Sequence, residues 1–261
     1  MSLTETRRDS IIHSTKSAGN NPPVYFWPEG STLPVYFWNE EDLEIREKII
    51  AHITAETRAL IQGLHSRMKI RRIEYPSIVP FSDLRDRPHE AWRLAGTDLA
   101  LSTGEGEGGC VPFLREVMKE WTPETLPVSY QYQSKNFRSE NPRYTGPFRS
   151  LEFWQLDWDC YWVADQVRFA PEETQVFSTI LEPIIGPTYM KPEPEQTKDG
   201  AWRLNFDILS DVTDPAVEVA GYSTRSQQPP FVEWKGPELH GFNISYGIDR
   251  LVTAYKLLNR R

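Results

Sequence analysis

Cysteine is almost missing from this chain: Cys110 and Cys160 are the only two among 261 residues. That excludes a disulfide framework and a four-cysteine zinc site. Histidine is scarce as well. His13, His52, His65, His89 and His240 show no metal-ligand spacing, and solvated or core roles suit them better. Nothing approaches the roughly 20 uninterrupted apolar residues of a membrane-spanning helix. The opening residues, from Met1 to Arg8, lack the apolar run of a secretory signal, so cytoplasm is the expected compartment. Positive charge is also in deficit: 29 Lys and Arg against 37 Asp and Glu leave a formal net charge of −8. Proteins that bind nucleic acid non-specifically usually carry a basic surface. Overall charge therefore gives RNA no support, without excluding it.

Aromatic residues are plentiful, with nine Trp, 11 Tyr and 12 Phe. They allow a sizeable core, in one large domain or a domain with a small appendage. Residues 1–22 are polar and irregular. The run Pro23 to Trp27 then recurs as Pro34 to Trp38, each copy reading Pro-Val-Tyr-Phe-Trp. With the turn signal of Pro28 and Gly30 between them, two short strands or an aromatic flap are expected, packed on the core or on a second copy. The acids from Glu40 to Asp42 suit a first helical turn, and Ile45, Ile49, Ile50, Ile53, Leu60, Ile61 and Leu64 keep helical spacing to about His65. A strand is expected over 70–75, stopped by Pro76. Further strands fit 98–102, 127–138, 151–163, 202–212, 216–222 and 241–246, with helices at 110–121, 172–183 and 247–258. Long strands with few helices indicate an α+β fold with a largely antiparallel sheet flanked by helices. We divide the chain into an N-terminal extension, 1–39, and one domain, 40–261.

Two segments carry chemistry. In the first, Phe137-Arg138-Ser139-Glu140 precedes a Pro/Gly-rich turn holding Arg143, and Arg149 leads into Glu152, Phe153, Gln155 and Asp157. Two strands with guanidinium groups at their joint suit phosphate, which arginine binds through two parallel hydrogen bonds. A salt-bridged hairpin would account for the same residues. In the second, a strand from His240 feeds Gly247, then a helix with Asp249 and Arg250 in its first turn. The glycine permits close backbone approach and the helix start favours anions; an ordinary strand-to-helix turn is the alternative.

Taken together, these segments resemble motifs 2 and 3 of the class II aminoacyl-tRNA synthetases. The helix from about 41, the strand 70–75 and Pro76 resemble their motif 1, so the resemblance spans about 40–261. It implies an antiparallel sheet of the class II synthetase kind, a homodimer formed through motif 1, and ATP as the cofactor. Arg138 would hold the α-phosphate and the substrate carboxylate, and Glu140 would sit near the adenine amino group. Arg143 or Arg149 would reach the γ-phosphate. Phe153 would stack on one face of adenine, with Arg250 on the other, touching the terminal phosphate. Catalysis would then consist of positioning and electrostatic stabilisation, with Arg138 and Arg250 as its agents.

Two further segments extend the resemblance. Asp211, Glu218 and Ser223 precede motif 3. The two acids look like the Mg²⁺-binding carboxylates of the aspartyl and asparaginyl enzymes, hard oxygen ligands suited to Mg²⁺. The glycine-rich run 102–109 has no lysine partner for phosphate. It looks like the loop with which prolyl, glycyl and histidyl enzymes bind the substrate amino group, through Thr103 and Glu105, with Glu107 in reserve. A flexible turn is the other reading. Strand alternation puts Gln155 and Asp157 on the face of Phe153, and Trp154 and Trp158 on the opposite one. A polar pocket floor follows, for a small or polar substrate side chain. The subclass is mixed, and neither a C-terminal anticodon-binding domain nor an OB barrel is expected from the sequence. The expected partners are an amino acid and ATP, with the acceptor end of a tRNA, a separate subunit or a non-tRNA acceptor left open. A non-catalytic paralogue that keeps the fold as a binding platform is the competing function.

Overall fold

Alternating side chains need two different environments, and the long strands find them in one seven-stranded sheet. The computed structural model describes residues 24–26, 35–84, 91–103, 116–138, 148, 150–163, 175–196, 202–226, 236 and 238–259. Strands β1 (Val24–Phe26) and β2 (Val35–Phe37) are the two aromatic repeats, and they pair antiparallel with Tyr25 opposite Tyr36. Helix α1 (Glu40–Leu64) follows, then β3 (Lys69–Glu74), the small hairpin of β4 (Ile78–Pro80) with β5 (Leu99–Leu101), β6 (Val128–Phe137) and β7 (Glu152–Val163). Short helices α2 (Gln175–Thr179) and α3 (Glu182–Ile185) lead to β8 (Thr188–Gln196), β9 (Trp202–Ser210), β10 (Val217–Ser226), β11 (Leu239–Gly247) and α4 (Ile248–Leu258). The large sheet runs β3-β6-β7-β11-β10-β9-β8; among the described residues only β3 and β6 pair in parallel. The molecule is thus mixed α/β, with a mostly antiparallel sheet flanked by helices. No helix among the described residues is long and apolar enough to cross a membrane.

Helix α1 begins where the sequence can cap it. Asn39 Oδ1 accepts the Asp42 N–H at 2.9 Å, and Asp42 Oδ2 accepts the Asn39 N–H at 3.2 Å, a reciprocal capping box. Its stripe of Ile45, Ile49, Ile53 and Ile61 is buried in one cluster with Leu156, Trp158, Phe242, Ile244 and the α4 residues Leu251 and Val252. Residues directly opposite in the ladders, Trp158 with Ile244 and Ile244 with Tyr222, supply this apolar face. A buried ion pair between Lys256 of α4 and Asp42 of α1 ties the two helices together. Gly241 is required by closeness: a Cβ there would collide with the carbonyl oxygen of Cys160 on β7 and lie 3.1 Å from Tyr161 Cδ1.

Some expectations shift. The helix expected over 172–183 is two short helices within the described residues, because Pro183 opens the second and cannot continue the first. Of the helix expected at 110–121, residues 110–115 lie outside the described residues, and the rest ends in a tight 3₁₀ turn, Met118–Glu120. Strand β8 was not expected at all. Pro192 and Pro194 argue against a central strand, but among the described residues β8 is the outermost strand and pairs on one side only. An edge strand tolerates a missing N–H where that N–H would face solvent.

Candidate functional site

The second face of the sheet is polar toward the end where β6 and β11 finish and β7 and β10 begin. Register explains it: Asn136 lies opposite Phe153, Ser134 opposite Gln155, Asp157 opposite Ser245, and Ser245 opposite Gly221. The side chains join into a chain of hydrogen bonds. Ser102 Oγ donates to Asn136 Oδ1 at 3.1 Å; Asn136 Nδ2 donates to Gln155 Oε1 at 2.7 Å; Gln155 Nε2 donates to Ser245 Oγ at 3.0 Å. Ser134 Oγ reaches Asp157 Oδ2 at 3.4 Å. One layer deeper, fully buried Asp159 accepts from Tyr132 Oη at 2.7 Å and from Asn243 Nδ2 at 3.3 Å. A buried carboxylate is tolerated where such donors replace water. Further along β6 this face turns aromatic, with Tyr130, Tyr161 and Trp121 packed together.

At the rim stand the two arginines. Arg138, 6% exposed, follows the last residue of β6. Its Nε donates to the Thr103 carbonyl at 3.0 Å, and its guanidinium lies 4.7 Å from the centre of the Phe153 ring. Phe137 N–H bonds the Ser102 carbonyl at 2.7 Å, so residues 102–103 are fastened to the end of β6. Arg250 projects from the first turn of α4. Its Nη1 donates to Glu218 Oε2 at 2.7 Å and to the Glu218 carbonyl at 2.9 Å, and its Nε donates to the Phe148 carbonyl at 2.8 Å.

The structure therefore gathers Thr103, Arg138, Phe153, Gln155, Asp157, Glu218 and Arg250 at one end of the sheet. Trp158 lies in the apolar core and Trp154 packs against it, on the face opposite Gln155 and Asp157, as the alternation implies. Ser223 is on the polar face too, opposite Asn243 and hydrogen-bonded to Asn205. Asp211 is exposed in the turn between β9 and β10, and Glu218 stands on β10 beside Leu209 of β9. Among the described residues no group of three or more His, Cys, Asp and Glu is placed to hold a metal ion. Glu105, Glu140, Arg143 and Arg149 lie outside the described residues.

Sequence reasoning did not single out Ser134, Asn136, Asn243 and Ser245: on β11 the last two alternate with Phe242, Ile244 and Tyr246, but in β6 the run Gln133 to Asn136 is polar throughout and shows no alternation. It also passed over Asp249. This carboxyl is buried, and its Oδ2 accepts the backbone N–H of Trp154. Burial raises its pKa from 3.8 to about 7, opposed by the bonds from the Trp154 and Asp249 N–H groups and by the charge of Arg46. Between about pH 4 and 7 the unfolded chain has lost this proton while the folded chain keeps it, so stability falls as pH rises. Asp249→Asn is expected to remove that slope and to gain on the wild type by up to roughly 4 kcal/mol at pH 8. Urea unfolding of both chains at pH 5 and pH 8 measures it; a wild-type-minus-variant difference that does not change with pH would contradict the assignment.

Set beside known proteins, the chain matches no protein-family model and no curated protein.

Proposed function

We propose that this chain activates a carboxylic acid with ATP, forming an acyl-adenylate, in the manner of the class II aminoacyl-tRNA synthetase core that it resembles. A substrate carboxylate oxygen attacks the α-phosphorus, the bond from that phosphorus to the bridging oxygen breaks, and pyrophosphate leaves. The observation that carries the proposal is that Arg138, lying over Phe153, and Arg250, paired with Glu218, stand at the same end of a mostly antiparallel sheet whose face there is polar. Arg138 and Arg250 supply charge where charge develops, and the aromatic ring offers a flat apolar surface for a base. Gln155, Asp157 and Ser223 would face the activated acid, whose acceptor is a tRNA end or another nucleophile.

Mg²⁺ fits this reading as an ion carried in by the nucleotide. Glu218 is a hard oxygen donor on a side chain 44% exposed, and such ions bind phosphates with few protein ligands. When bound it would neutralise phosphate charge, while Arg250 exchanges Glu218 for a phosphate oxygen. The same reading includes a homodimer through α1 and β3; a purely monomeric boundary in sedimentation velocity at micromolar concentration would remove that part.

A second reading has its own support. Arg138 already covers Phe153 and Arg250 already pairs with Glu218, so each ligand group has a partner in the chain itself, as in a non-catalytic binding platform. Amino-acid-dependent ATP–pyrophosphate exchange, run across the twenty amino acids with Mg²⁺ and no tRNA, separates the two. Exchange with one amino acid is the expected result. Mg-ATP binding without exchange would favour the platform, and no ATP binding would overturn the ATP site.

A further inference from the structure

The antiparallel ladder between β7 and β11 ends at Gln155 opposite Gly247. The chain then turns directly into α4, and β7 runs on toward its start with no β11 residue beside it. Trp154, the first residue past the end of that ladder, gives its N–H to the carboxylate of Asp249, the second residue of α4. A side chain thus continues the pairing by one residue beyond the strand. It does so in a place that disfavours charge, for the carboxyl is only 9% exposed.

The neighbours give that bond its meaning. Phe153, under the Arg138 guanidinium, immediately precedes Trp154; Arg250, holding Glu218, immediately follows Asp249. The Trp154 side chain on the other face is gripped by cations, with the Arg46 guanidinium 5.2 Å and Lys135 Nζ 5.8 Å from its ring centre. Resting on the ATP-site reading above, we propose that Asp249 is a positioning residue. Its bond to the Trp154 N–H locks the start of β7 to the first turn of α4, and so fixes the separation between the Phe153 ring and Arg250 that a nucleotide base must enter. Asp249 touches no reacting atom. It acts through the two residues beside the bond, and placement errors near 1 Å at such groups cost about 10²-fold.

The test compares Asp249→Asn, which keeps a carbonyl oxygen for the Trp154 N–H, with Asp249→Leu, which has none. Two quantities are read: Mg-ATP affinity by calorimetry, and hydrogen exchange at the Trp154 amide by NMR. The asparagine chain should bind within about threefold of wild type, and the leucine chain about tenfold or more weaker. Exchange at Trp154 should accelerate in the leucine chain alone, while amides of Tyr130 to Tyr132 in β6 keep their protection, which separates local release from unfolding. Unchanged protection at Trp154 in the leucine chain overturns the lock. So does equal Mg-ATP affinity of leucine and wild-type chains. A wild-type chain that fails to bind Mg-ATP instead overturns the ATP site, while exchange at Trp154 still decides the bond.

Discussion

Replacing Arg138 by alanine is expected to lower ATP–pyrophosphate exchange by about 10²–10³-fold or more, the loss seen when one preorganised charge-stabilising donor is removed. Arg138 is almost wholly buried, and its contacts include the Thr103 carbonyl and the Phe153 aromatic ring. A cation over a ring contributes about 0.5–2 kcal/mol, and its Nε bond to a neutral carbonyl adds a further 1.5–3 kcal/mol or so. Both can be exchanged for a phosphate, to which arginine presents a two-pronged donor set. In the proposed reaction the guanidinium leaves the Phe153 ring for the α-phosphate, and the adenine takes the ring face it uncovers. Arg138→Lys keeps the charge but not the planar fork, so it should recover only a small part of the rate. Because alanine also removes packing, exchange must be read beside a melting curve; a folded alanine chain with exchange within tenfold of wild type would refute the role. Phe153→Leu should weaken Mg-ATP binding in calorimetry, since the leucine cannot stack on a base.

How much of this was legible beforehand depended on the range of the interaction. Helix α1 was readable because its stripe, its acids and its cap are all local: Asn39, Asp42 and Ile45 lie within a single turn or two. The alternation of β7 was equally local, and it assigned Gln155 and Asp157 to one face and Trp154 and Trp158 to the other. Register is not local. That Gln155 would meet Asn136 on one side and Ser245 on the other depends on which residues of three strands fall opposite each other, 19 and 90 positions apart. The bond from Trp154 to Asp249 spans 95 positions, and nothing near either residue announces it. The same holds for Arg250 and Glu218, two residues expected to serve a nucleotide and its ion, which here meet each other. Strand β8, which was not among the expected elements, is remote in the same sense: Pro192 and Pro194 are tolerated because it is an edge strand, and that is a property of the whole sheet.

Stability should hinge on a pair equally remote in sequence, Asp42 and Lys256. Lys256→Met is expected to cost about 3–5 kcal/mol, because removing one partner leaves the other charge buried without compensation. Asp42 is completely buried and Lys256 nearly so, which places their pairing far from the weak, screened regime of surface ion pairs. Asp42 has two other supports: the Asn39 N–H and a position in the first turn of α1, where the helix dipole favours an anion. Lys256 has Glu41 3.9 Å away and lies in the last turn of α4, which favours a cation. These supports explain how both charges are tolerated, but neither replaces the partner. For a chain of this size the loss corresponds to a fall in Tm of roughly 10 °C. Asp42→Asn should cost a comparable amount, since it strands the ammonium instead. Asp42→Asn with Lys256→Met removes both charges and keeps an acceptor for the Asn39 N–H, so the double variant should be more stable than the sum of the singles by about 2 kcal/mol or more. Strict additivity in urea unfolding would mean that the two side chains are not paired in solution. Arg250 stands on the same helix as Lys256, so the lysine variant also asks whether the α1–α4 clamp matters at the far end of α4. A chain that has lost stability but keeps its Mg-ATP affinity would assign that clamp to folding alone, and leave the placement of Arg250 to Asp249 and Trp154.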